Sequence, residues 1–197
     1  MPPDSPAVTL ITRAEWGAVE PNMDAATERG VFNRVTNRGG WLEYDQPLDQ
    51  VLTTLVVHHS ASVLDGPRDI QKLHMEKRGY ADIGYHYLIE AGGRLYEGRA
   101  LNVRGAHTGG FNTGTVGVCL LGNFENQWPA MEQLQTLRSL GTSLVAAYGL
   151  THLAGHNSFQ PGATLCPGHN LEPLLPDLAG VMGLVYGTAG YVPPAWS

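Results

Sequence analysis

Apolar positions along the chain fall into stretches of two different periods, and these periods predict its elements. Residues 52–59 (LTTLVVHH) are β-branched and apolar and end on a histidine pair, the pattern of a central strand. Asp65 is placed to cap a helix with Pro67 in its first turn. That helix runs through Ile70 and Leu73 toward Arg78, and Gly79 lies just past its end. Residues 84–90 and 94–98 flank Ala91-Gly92-Gly93, a short turn that joins them as a hairpin. Residues 116–122 read as a further buried strand. From Pro129 onward Leu134, Leu137, Leu140, Leu144, Val145 and Tyr148 recur at helical spacing, until Gly149 stops the helix. Residues 172–185 predict a last helix, broken or kinked near Pro176. Strands and helices follow no strict alternation, so the expected fold is mixed α/β: a central mixed β-sheet with helices on its faces.

Two stretches carry no such period. Residues 22–50 hold Gly39-Gly40, many polar residues and only scattered apolar ones, among them Trp41, Leu42 and Tyr44, which suggests an inserted loop or small hairpin. The Gly- and Pro-rich tail 187–197 reads as a poorly ordered end. The expectation is a single domain over 1–197, with its core at about 11–178.

Composition narrows the classes. A chain of 197 residues with 43% hydrophobic and 15% charged residues is ordinary for a globular domain with a sizeable core. The net charge of −6 argues against nucleic acid as a partner. No apolar run approaches the roughly 20 residues needed to span a bilayer, so membrane insertion is not expected. Nothing points to assembly, and a monomer is expected. The opening MPPDSPAVTL has neither a basic start nor a long apolar segment, so no secretory signal is visible. Location is then expected to be cytoplasmic until release by another route, or extracellular if a leader has been removed.

The chemistry lies in His58 (LVVHHSA), His156 (LAGHN) and Cys166 (TLCPG). Two imidazoles and a thiolate suit a borderline-soft ion such as Zn²⁺, and three protein ligands leave a fourth position for water. Such an ion lowers the pKa of its water from 15.7 to about 7, which predicts a zinc hydrolase. His58 and His59 are adjacent on a strand and point to opposite faces, so only one of them joins a metal readily. Cys119 sits in the apolar run VGVCLLG; a Cys119–Cys166 disulfide is the bland alternative and would remove the thiolate ligand.

The motifs LVVHHSA, GYADIGYHYLI, GAHTGGFNTGTVGVCLLGNF and AGHNSFQPGATLCPG occur in the order seen in zinc N-acetylmuramoyl-L-alanine amidases, and the chain resembles that family. The family includes short phage endolysins and animal peptidoglycan-recognition proteins, and the opening ITRAEWGA is similar to the start of the latter. The resemblance implies a mixed sheet flanked by about three helices, one Zn²⁺ per chain, and His58, His156 and Cys166 as its ligands. It implies catalytic roles for Tyr85, matching the family's tyrosine, and for Thr164, two residues before the cysteine ligand. It places His107, Thr108 and Asn112 in a groove for the peptide stem of a peptidoglycan fragment, with Gly109 and Gly110 allowing close backbone approach. His59 and His86 are expected to be structural, His74 and His152 to be packing histidines, and His169 has no role. Two other readings stand beside the enzyme. One is a recognition module that binds peptidoglycan without cutting it. The other is a structural zinc site, which would need a fourth protein ligand such as His59.

Overall fold

A computed structural model of the chain describes residues 8–62 and 66–192. Seven strands form one sheet: β1 (Leu10–Ile11), β2 (Thr54–His59), β3 (Tyr87–Ile89), β4 (Leu95–Glu97), β5 (Thr115–Leu120), β6 (His152–Gly155) and β7 (Val185–Tyr186). Their order is β1-β4-β3-β5-β2-β6-β7, and every neighbouring pair is parallel except the β3–β4 hairpin. The sheet is therefore mixed, as the unpatterned order of elements implies. β2 and β5 are buried along their whole length, as central strands covered on both faces must be.

Period-two alternation sorts β2 into two faces. Leu55 and Val57 belong to the large core, which also holds Leu137, Leu140 and Leu144 of α3 (Met131–Tyr148) and Leu175 and Ala179 of α5 (Leu175–Met182). On the other face Val56 packs with Ala154 and Phe159, the last residue of the short α4 (His156–Phe159). α2 (Pro67–Lys77) covers the remainder of that face through Ile70, which joins Leu88 and Cys119. Helices thus lie on both sides of the sheet, and His58 shares the α2/α4 side.

The helices start and stop where local chemistry requires. α3 ends at Gly149, whose φ of +69° is the left-handed conformation a side chain disfavours. The expected Asp65 cap lies outside the described residues; at Gly66 the backbone N–H donates to the Asp69 carboxylate at 3.0 Å. The helical stretch expected over 172–185 is broken next to Pro176. Pro176 occupies the first turn of α5, where a missing N–H is harmless, after a separate 3₁₀ turn at Glu172–Leu174. ITRAEWG forms β1 and α1 (Arg13–Trp16), with a Thr12–Glu15 capping box and Gly17 closing it at φ +72°.

The 22–50 segment is part of the body rather than a detached loop. Trp41, Leu42 and Tyr44 are buried, and short bridges pair Val31 with Trp41 and Glu43 with Val103. Glu28 of this segment reaches the buried Arg99 in a two-armed pair of 2.7 and 2.9 Å. Past β7, where disorder was expected, the Gly187 N–H bonds Leu153 O, and the Tyr191 ring packs against Phe111 and Phe159.

Candidate metal centre and groove

Three elements bring the metal-type ligands together. His58 is the penultimate residue of β2, His156 follows β6 directly and opens α4, and Cys166 lies on the loop beyond it. Their ligand atoms all lie within 4.8 Å of one another. The His58 Nδ1 to Cys166 Sγ separation is 3.6 Å. A tetrahedral ion with Zn–N of about 2.0–2.1 Å and Zn–S of about 2.3 Å needs an edge of roughly 3.5 Å, so the donors fit zinc in kind and the His58–Cys166 edge fits it in length.

Hydrogen bonds set the orientation of each ligand. His58 Nε2 lies 3.0 Å from His107 Nδ1, which leaves Nδ1 of His58 toward Cys166. His107 Nδ1 is also 2.9 Å from the Thr108 hydroxyl. This outer partner fixes the ligand's tautomer. His156 Nε2 pairs with Gln160 Oε1 at 3.1 Å, and Gln160 Nε2 donates to Gly109 O at 2.9 Å, tying this ligand to the groove loop. The Cys166 sulfur accepts the His59 backbone N–H at 3.4 Å, an interaction that favours a thiolate.

The electrostatics agree with metal-binding chemistry. Burial, followed by neighbouring histidines, pushes the His58 pKa well below 6.5, so the imidazole is neutral and able to ligate. Burial raises the Cys166 thiol to about 12, and only a cation beside it would stabilise the thiolate at neutral pH. Cys119 and Cys166 are both free thiols, so the disulfide alternative does not hold. Cys119 pairs in register with His58 and is buried, its own thiol pushed well up by burial.

His59 points to the opposite face, where its Nδ1 accepts the Phe124 N–H at 3.3 Å. It therefore supplies no fourth ligand, and the structural-zinc reading has no donor among the described residues: the cluster is His58, His156 and Cys166. His86 also points inward. It accepts the Gly117 N–H and contacts Val103 O, bracing β5 against the 103–107 loop.

Beside the centre lies a cavity of about 610 Å³, lined by His156, Tyr85, His107 and Asn112 among others. The Tyr85 ring stands 5.1 Å from that of His58, and burial raises its hydroxyl well above 10, which keeps it a donor. Thr164 Oγ1 accepts the Cys166 N–H at 3.1 Å and lines a separate cavity across the 157–165 loop. Thr108, expected to contact substrate, is fully buried against His107 and does not line the groove. Asn112 uses its Oδ1 to accept the N–H groups of His107 and Thr108, so its amide nitrogen alone is left for a ligand.

His74, expected only to pack, also lines the groove, its Nδ1 accepting the Gly84 N–H at 2.9 Å. Arg78, Tyr80 and Arg104 join it there. Sequence reasoning missed them because nothing in a helix pattern or a loop tells which residues border a cavity.

Comparison with known proteins agrees with this geometry. Residues 48–169 match the Amidase_2 family, N-acetylmuramoyl-L-alanine amidase. Peptidoglycan-recognition protein SD of Drosophila simulans is 35% identical over 176 residues, covering 85% of this chain and 84% of that protein. The structure of the N-acetylmuramoyl-L-alanine amidase LysC from Clostridium intestinale URNW aligns with a TM-score of 0.63 at 27% identity, over 78% of this chain and 96% of that one. A mutant of Drosophila PGRP-LB, in complex with tracheal cytotoxin, aligns with a TM-score of 0.64 at 27% identity, over 83% and 90% of the two chains. Fold and donor set define the class: a mixed α/β domain with three metal-type ligands beside a groove. The chain belongs to the N-acetylmuramoyl-L-alanine amidase family, in its type 2 and peptidoglycan-recognition-protein-like form.

Proposed function

We propose that this protein is a zinc-dependent amidase that cleaves the bond between the lactyl group of N-acetylmuramic acid and the L-alanine of the peptidoglycan stem. One observation carries the reading: two neutral imidazoles and a thiol converge within 4.8 Å, with the Tyr85 ring 5.1 Å from that of His58 and a groove alongside. When bound, one Zn²⁺ per chain supplies a Lewis acid and an activated water.

The chain's own residues do the remainder. His58, His156 and Cys166 hold the ion, and His107 and Gln160 keep the two imidazoles turned toward it. Attack on the amide builds negative charge on the carbonyl oxygen, and the Tyr85 hydroxyl, held protonated by burial, donates to it. Thr164 accepts one bond from Cys166 and retains its own O–H proton, so it is the second candidate donor. The muropeptide stem lies along the groove, against the His107 side chain and the Asn112 amide nitrogen.

A recognition module is the second reading, favoured by the name of the Drosophila simulans relative. Turnover decides between them. The wild type should release free stem peptide from a muramoyl-pentapeptide, as seen by mass spectrometry. Tyr85→Phe should keep zinc and fold but lower kcat by roughly 10²–10³, the effect of losing one oxyanion donor. Near wild-type turnover removes Tyr85 from the mechanism. Binding without any turnover in the wild type establishes the recognition module instead.

A further inference from the structure

Past β7 the chain turns back across the face of the sheet that carries the metal-type ligands. The Gly187 N–H bonds Leu153 O at 2.8 Å, and the Tyr191 N–H closes a turn on Thr188 O at 3.0 Å. Gly190 lies flush on the His152 ring, where a Cβ would run into the imidazole. The residue that follows is thereby aimed inward.

That residue, Tyr191, completes a cluster of three rings. Its centroid lies 5.5 Å from that of Phe111 and 5.6 Å from that of Phe159, at 70° and 86°. Phe111 and Phe159 are themselves 5.1 Å apart, so each ring meets the other two. Edge-on packing of this kind is a favoured aromatic geometry. The other two rings come from separate parts of the site. Phe159 is the last residue of α4, the helix that His156 opens. Phe111 stands in the groove loop, between Gly110 and Asn112, which line the cavity.

Neither part is rigid on local grounds. α4 has four residues and no side-chain cap, far too short to persist without tertiary contacts. The loop passes through Gly109 and Gly110, the latter at φ +84° with nothing within 4 Å of where a Cβ would lie. Gln160 joins the two parts through an exposed bond to Gly109 O at 2.9 Å. Tyr191 touches both from a third segment.

We propose that Tyr191 is a positioning residue, which holds the α4 turn and the groove loop 107–112 in one arrangement so that the metal end and the groove receive the same ligand together. The inference rests on the muropeptide reading of the groove. A loop that adopts its binding arrangement for only a fraction of the time loses affinity in proportion to that fraction. Without Tyr191, Phe111 and Phe159 each lose a partner, while no ligand of the metal is touched.

Calorimetry on the zinc-loaded protein tests this, with a muramoyl-pentapeptide made uncleavable by N-methylation of the lactyl–alanine amide. Tyr191→Ala should bind it about tenfold more weakly than the wild type, as expected if the loop is ordered in about a tenth of the molecules. Amides at 107–112 and 156–160 should exchange hydrogen faster by about the same factor. Tyr191→Phe keeps the ring and should restore both readings. Met182→Ala serves as the control for lost stability alone, because this buried residue packs on Gly141 in the core across the sheet; it should bind as the wild type does. Tyr191→Leu removes the ring but keeps apolar bulk; it should weaken binding in the same direction, and it decides if Tyr191→Ala fails to fold. Wild-type affinity in the folded variant, or an equal loss in Met182→Ala, overturns the inference and leaves the amidase reading standing. A wild type that binds this peptide but does not cleave its unmethylated parent removes the amidase reading and leaves the role of Tyr191 to be decided by the same variants. A wild type that binds nothing overturns both.

Discussion

At the scale of single residues, two of the three candidate ligands are held by neighbours from distant parts of the chain. His58 is oriented by His107 and Cys166 is reached by the His59 N–H, across 49 and 107 positions of sequence. This makes a graded prediction. Cys166→Ser replaces a thiolate ligand with a hydroxyl and should weaken zinc binding by more than the roughly 10–100-fold that outer partners contribute. His107→Ala should fall inside that range. Chelator competition measures both, and equal losses would mean that one of the two roles is misassigned. Glycine matters at this scale where His107 fits: a Cβ on Gly117 would sit 2.5 Å from the His107 ring, so residue 117 has room for hydrogen only. The residue types of the centre were legible in the sequence. Their partners were not, because a hydrogen bond between a strand and a loop leaves no local pattern.

At the scale of elements, long periodic segments were legible and short ones were not. α3 and the β3–β4 hairpin follow directly from helical spacing and a glycine turn. β6 and α4 were missed because four-residue elements are too short to show a period, yet they deliver His156. The 22–50 segment resisted reading for another reason: it is held by a few scattered buried side chains, short bridges and a buried ion pair, not by an apolar stripe. Glu28→Ala would leave Arg99, 1% exposed, without its partner. That should lower stability by roughly 3–5 kcal/mol in urea unfolding, whereas replacing both residues by methionine should recover much of it. Arg94→Ala, which removes only the exposed pair with Glu90, should leave stability nearly unchanged. If Glu28→Ala costs no more than Arg94→Ala, the segment is not held in this way.

At the scale of the whole molecule, His58, His74, His86, His107 and His156 have pKa values lowered chiefly by burial. His74 and His86 both have pKa values lowered to about 4, chiefly by burial. In the unfolded chain they titrate near 6.5, so the unfolded state binds more protons between those values. Their stabilisation is complete above about pH 6.5 and is lost as pH falls toward 4, on the order of 3 kcal/mol each. Unfolding in urea at pH 7, 5.5 and 4.5, in chelator to exclude metal release, should show that decline; a flat profile would show that these histidines are solvated. The described helices include none long and apolar enough to cross a membrane. By itself the sequence determined the main periodic elements, the mixed sheet and the donor types, since periodicity and ligand chemistry are local properties. Tertiary structure alone decided that His107 turns in against His58, that Thr108 is sealed off, and that the 22–50 segment lines the groove. Those outcomes depend on which face of the sheet each residue meets and on what packs against it, and chain segments far apart in sequence set both.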